Sequence, residues 1–167
     1  FLGNSFTDYL YFSASFLIGL LLIIPIRLFI SKLLYKLFGK DNDQNDNEKF
    51  NSLLKKPLQY FLTLLVLYFS VQFISLPEFL SSTEEGGLNL VEYFDKGYNL
   101  LLLITIFWTI IRSVDFIGFK LKNKALKTES KVDDQLIPFA IDIAKVLTIV
   151  LALVMILGNV FDVNVTA

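Results

Sequence analysis

The sequence contains no cysteine and no histidine. Disulfides, thiolate nucleophiles, Cys/His metal sites, Ser-His-Asp triads and histidine pH switches are therefore excluded. Charge is also sparse: 19% of the 167 residues are Asp, Glu, Lys or Arg, and the formal net charge is -1. A field that would draw nucleic acid to the chain is missing, so no nucleic-acid partner is expected. No basic leader precedes the first apolar run, which is too long for a signal peptide core.

What is abundant is apolar: 54% of residues, with a mean hydropathy of +0.61. A soluble domain spreads such residues periodically. Here they fall into blocks, with the charges between them. This distribution predicts an all-α polytopic membrane protein of four transmembrane helices. The first block and its flank cover 1–38, with Pro25 expected to kink the helix and Arg27 to reach back toward water. A polar linker, 39–56, precedes the second span, 57–76. A loop, 77–96, leads to the third span, 97–119. A basic loop, 120–135, leads to the fourth, 136–158, and 159–167 forms a closing turn. Each block approaches the ~20 residues that a helix needs to cross ~30 Å of hydrocarbon.

Lysine and arginine set the orientation. Arg27, Lys32, Lys36, Lys40, Lys49, Lys55 and Lys56 flank the first linker, and Lys120, Lys122, Lys124, Lys127 and Lys131 follow the third span. The loop 77–96 has only Lys96, against Glu78, Glu84, Glu85, Glu92 and Asp95. Both basic loops are expected in the cytoplasm and both chain ends outside.

Three short motifs are weaker. Asp41, Asp43 and Asn45 match the first positions of a calcium loop, but Asp46 stands where glycine is required and Ser52 where glutamate is required. The stretch is read as a solvated linker, with no metal or other cofactor. Leu88 to Phe94 has helical apolar spacing, consistent with either a short interfacial helix or an ordinary turn. Asn164-Val165-Thr166 is a formal glycosylation sequon that matters only in a secretory compartment.

Charges within a span need partners. Arg112 and Asp115 are three apart on the third helix, and Asp142 and Lys145 are three apart on the fourth. That spacing lets each pair meet locally. The first pair lies roughly 6–10 Å inside the basic end of its helix and the second roughly 9–14 Å, at 1.5 Å per residue. The helices run antiparallel, so the four residues are candidates for one polar cluster; independent snorkelling to headgroups is the plain alternative, and a proton or ion path a third. At the start of the fourth helix, Asp133 or Asp134 is placed to cap free N–H groups, with Pro138 in the first turn or just after it.

The residues Asp133, Asp134, Leu136, Pro138, Leu157, Gly158, Val163, Asn164 and Ala167 form a start, an apolar helix and a closing turn. This pattern, from Val132 to Ala167, resembles the MscS-like family of mechanosensitive channels. The third helix fits the family's preceding sensor helix by position, and the first two fit the extra N-terminal spans of longer members by number. The resemblance implies a homo-oligomer, usually a heptamer, that contacts membrane lipids in a bacterial inner membrane. It implies opening under bilayer stretch during osmotic down-shock. It further implies that this chain is part of a longer protein, whose pore helix and cytoplasmic domain follow Ala167. Pro25, Gly97 and Gly118 would be bending points or ordinary packing positions. A helical subunit or scaffold that binds a partner and conducts nothing would use the same four spans. An intramembrane enzyme lacks candidate groups, since neither His nor Cys occurs and no two carboxylates sit at one depth in the core in a plausible catalytic arrangement.

Overall fold

The computed structural model describes residues 3–38, 44–75, 90–125, 133–161 and 163. Four α-helices account for nearly all of them: α1 (Phe6–Phe38), α2 (Gln44–Val71), α3 (Leu90–Ala125) and α4 (Asp133–Asn159). No strand occurs among the described residues. Three helices contain stretches long and apolar enough to cross a membrane: Phe6–Ile30, Leu90–Ala125 and Leu136–Asn159.

Local sequence explains where the helices start and stop. Ser5 opens α1 with a capping box. Its N–H donates to Asp8 Oδ2 at 2.8 Å, and Asp8 N–H donates to Ser5 Oγ at 3.4 Å. Gly3, at φ 82°, supplies the left-handed turn that precedes it. The helix then continues through Pro25 to Phe38. At the far end of the fold, α4 ends at Asn159, where Asn159 Nδ2 donates to Met155 O at 3.0 Å. A wide turn follows, closed by Val163 N–H to Leu157 O at 3.0 Å.

Two elements depart from the sequence expectation. Residues 44–56, which their polarity assigned to the linker, form the first turns of α2. The reason lies in Phe50, Leu53, Leu54 and Leu58, which share one helical face. Phe50 (2% exposed) and Leu54 (1%) close over Phe116 (0%), and the Phe50 and Phe116 rings meet edge to face with centroids 5.5 Å apart. Lys49 Nζ lies 5.5 Å from the Phe119 ring, adding a cation–π contact at the same end. The apolar part of α2, from Pro57 to Val71, is about 22 Å long at the helical rise, so α2 is not among the three spanning candidates. Residues 39–43, with Asp41 and Asp43, lie outside the described residues.

The second departure concerns Leu90 to Phe94. They do not form a separate interfacial helix. They are the first turns of α3, which runs unbroken for 36 residues, about 54 Å. Glu92 and Lys96 pair along it at 3.0 Å. Leu88 and the sequon at 164–166 lie outside the described residues.

The helices stand in a row, each antiparallel to the next. In the α1–α2 seam, Asn4 meets Ser75, Tyr11 meets Phe73, Ser15 meets Ser70, and Gly19 meets Val66. In the α2–α3 seam, Phe50 faces Phe116, Tyr60 stacks on Trp108, and Tyr68 stacks on Tyr98. In the α3–α4 seam, Asp115 faces Lys145 and Gly118 faces Ile141. Extensive packing joins consecutive helices, and α1 also touches α3. The row is therefore open, with α4 at one edge packed extensively against α3. Helix direction gathers Lys32, Lys49, Lys55, Lys56, Lys122 and Lys124 at one end of the row and Asp8, Glu92 and Asp95 at the other.

Little of the surface of α1 or α4 is covered. Along the spanning part of α4 Thr148 is buried, and Val146, Leu147, Leu151 and Leu153 stand exposed. A water-soluble monomer rarely presents apolar surface on this scale. The polar groups within the row are satisfied locally, as hydrocarbon demands. The hydroxyls of Thr63, Ser70, Thr109, Ser113 and Thr148 each donate to the carbonyl four residues back. The molecule is a membrane-embedded helical protein.

Candidate functional site

The charged residues predicted within the spans lie where α3 and α4 meet, near the basic end of the row. Asp115 is the centre. On its own helix it accepts from Arg112 Nη1 at 3.0 Å. Across the seam it accepts from Lys145 Nζ at 2.5 Å. Its side chain is 19% exposed, against 44% for Arg112 and 31% for Lys145. Two cations thus share one carboxylate in a half-buried position, a charge-assisted arrangement stronger than a neutral hydrogen bond.

Asp142 stands apart. It lines the same recess, about 260 Å³ in volume, with Asp115, Gly118, Lys122, Pro138 and Lys145. Yet it is exposed and makes no ion pair among the described residues. The local Asp142–Lys145 pair expected from spacing is not formed, because Lys145 reaches α3 instead. Three of the four candidate residues meet, and the fourth is left beside them.

Backbone approach explains how Lys145 gets there. A side chain at Gly118 would strike Ile141, so its absence lets α4 come close one turn from Asp115. At Gly97 an added methyl would meet nothing within 4 Å, so close helix contact gives no reason for glycine there. On the other side of Ile141 lies a second recess of about 390 Å³, lined by Val114, Ile117, Leu121, Leu136 and Ala140. The α3–α4 seam is therefore flanked by open grooves at its basic end.

The remaining predicted residues do not assemble into a site. Asp133 and Asp134 are the first two residues of α4, inside its first turn, where negative charge suits the positive end of the helix dipole. Their side chains lie outside the described residues. Pro138 is the sixth residue of α4, one turn further in than the least costly position, and is exposed. Leu136 and Leu157 are exposed at opposite ends of the helix, and Gly158 falls in its last turn. Among the described residues no group of three or more acidic side chains is placed to hold a metal ion.

Three contacts had no counterpart in the sequence reading. Asn4 clasps the end of α2 with both amide atoms: Nδ2 donates to Ser75 O and Oδ1 accepts from Ser75 N–H, each at 2.8 Å. Gly19 allows α1 to press against both γ-carbons of Val66. Tyr98 donates its hydroxyl to Leu64 O at 2.5 Å, across the α2–α3 seam. Only Gly19, a small residue within an apolar run, left a signal in the sequence. The other two depend on helix register, which composition does not reveal. No known protein family, curated protein or solved structure matches this chain.

Proposed function

We propose that this chain is the tension-sensing transmembrane region of a mechanosensitive ion channel. It crosses a plasma membrane four times, with the basic end of the row in the cytoplasm and both chain ends outside. The observation that carries this reading is the α3–α4 hairpin at the open edge of the row. There α4 packs extensively against α3, is largely apolar beyond Asp142 and Lys145, and is flanked by grooves at its basic end. Tension favours whichever state occupies more in-plane area. The edge helix α4 changes its tilt and its lipid contacts against α3 without unpacking the rest of the row. The sequence pattern from Val132 to Ala167 supports the same assignment and, by resemblance, a heptamer.

The fourth crossing is assigned to α2. Its helical apolar length of about 22 Å is short of the ~30 Å core. Local thinning of the bilayer makes up the difference. The gathering of lysines at one end of the row supports the orientation. Labelling of single cysteines at Lys124 and Glu92 tests it. Reaction from opposite faces is expected, and reaction from one face overturns the topology.

Patch recording of the parent protein under suction tests the function. The expected result is a current that grows with suction. A second reading, a non-conducting subunit that binds a partner, rests on the exposed flank of α1, where Leu17, Leu21 and Phe29 stand uncovered. Absence of any stretch-evoked current, with a partner protein recovered on α1, would favour it.

A further inference from the structure

We propose that Asp142 is a second seat for Lys145, which makes the tie between α3 and α4 an exchangeable one. In this structure Lys145 pairs across the seam with Asp115, which also holds Arg112. Asp142 faces the same recess without a partner among the described residues. It precedes Lys145 by three positions on α4, the spacing at which side chains on one helix face meet. The four charges sum to zero, two of each sign.

That balance has a mechanical consequence. If α4 moves away from α3, Asp115 keeps Arg112 on its own helix. Lys145 then turns to Asp142 on its own. Each helix carries away one internal ion pair, and no unpaired charge is left among the lipid tails, where it would be costly. With one fewer carboxylate, separation would strand Lys145. The seam thus has two arrangements, one that crosses between the helices with both cations on Asp115 and Asp142 left over, and one that does not cross and pairs all four charges within their own helices, as a bistable element requires. Ile141, lodged against Gly118 one turn from Lys145, holds the crossing arrangement in register. Lys122, on α3 in the same recess, is the other cation near Asp142. The exchange rests on the α3–α4 geometry alone; only its coupling to bilayer area rests on the proposed function.

The natural sequence has no cysteine, so a cross-linking pair is easily introduced. Leu121→Cys and Leu136→Cys line the same groove from α3 and α4. Their rate of oxidative cross-linking in the full chain, reconstituted in lipid bilayers, reports how long the seam stays closed. Asp142→Asn removes the second seat and is expected to speed cross-linking by up to about twofold, the ceiling for a closed arrangement that is about half populated in the parent. Asp115→Asn is expected to slow it, because Lys145 moves to Asp142. Lys145→Gln is expected to abolish the effect of Asp142→Asn, and Asp142→Glu to restore the parent rate. Lys122→Gln is expected to leave the effect of Asp142→Asn in place.

A fixed tie makes the opposite prediction: Asp142 has no ion-pair partner, so its substitution changes nothing. An unchanged or slowed rate in Asp142→Asn, or an effect that survives Lys145→Gln, overturns the exchange. The readout needs no current. Shifted cross-linking without stretch-evoked conductance would refute the channel assignment and leave the exchange standing.

Discussion

Replacing Phe50 with alanine should release the first turns of α2 from α3. The ring is 2% exposed and closes an aromatic pair with the fully buried Phe116, with Leu54 alongside. Removing a buried phenylalanine costs about 3–5 kcal/mol, from lost transfer free energy and the cavity left behind. The edge-to-face pair contributes about 0.5–1.5 kcal/mol of interaction beyond its area. Apart from Leu53, Leu54 and the Lys49–Phe119 contact, residues 44–56 have little to hold them, since Lys55, Lys56 and Glu48 are exposed. The loss should therefore appear as local undocking more than as global unfolding. Lys49 and Lys55 then become trypsin sites, whereas the Lys56–Pro57 bond resists trypsin. Cleavage in the regime of rapid opening and closing tracks the open population. A loss of about 3 kcal/mol raises that population on the order of a hundredfold, until undocking is complete. Limited tryptic digestion of the reconstituted protein, with fragments identified by mass, measures it. An acceleration below about twofold would mean that the segment is not docked on α3 and would refute the packing argument.

Gly19→Ala should weaken the α1–α2 seam by about 1–3 kcal/mol, because the stiff Val66 side chain cannot turn aside; resistance to denaturing detergent reads this, and Val66→Ala in the same chain should restore it. Gly97→Ala should be neutral or stabilise by up to about 1 kcal/mol through helix propensity, whereas Gly118→Ala should destabilise, since its methyl meets Ile141; thermal unfolding in lipid nanodiscs separates the two. Tyr98→Phe removes the donor to Leu64 O and should cost about 0.5–1.5 kcal/mol in the same assay.

The spans were legible where hydrocarbon dictates them. Runs such as LIGLLLII in α1 and IVLALVMIL in α4 have one physical explanation, and both lie in helices long enough to cross. The start of α2 was hidden because polarity dominates Gln44 to Lys49, and the apolar face appears only once Phe50, Leu53, Leu54 and Leu58 are read together. In the sequence the start of α3 stays open between a short helix and a turn, because Glu92 and Asp95 interrupt the apolar run; the helix continues through them regardless, since exposed charges cost a helix little. The candidate site was half legible. Depth and spacing brought Arg112, Asp115, Asp142 and Lys145 to one level. Which carboxylate Lys145 takes was beyond the sequence, because the local and the crossing partner have the same charge and only helix register separates them.

The three seams differ in what holds them, and the difference indicates where the row can give. Among lipid tails, burial of apolar surface supplies no drive to associate, so close packing and polar bonds must do it. The α1–α2 seam has these along its length: Asn4 with Ser75, Ser15 with Ser70 at 3.2 Å, and Gly19 with Val66. So does the α2–α3 seam, from Tyr98 at one end through Tyr60 and Trp108 to Phe50 and Phe116 at the other. In the α3–α4 seam, among the described residues, the polar bond that crosses is Lys145 to Asp115, and the close glycine contact is Gly118 to Ile141 one turn away. From Val146 to Asn159 the described side chains of α4 send no polar bond to α3: Thr148 and Asn159 both bond within their own helix. The seam is pinned at its basic end and held by aliphatic contact over the rest. A force that pulls the helices apart therefore meets least resistance at the Asn159 end, and the Asp115–Lys145 tie is the pivot about which α4 swings before it is itself exchanged.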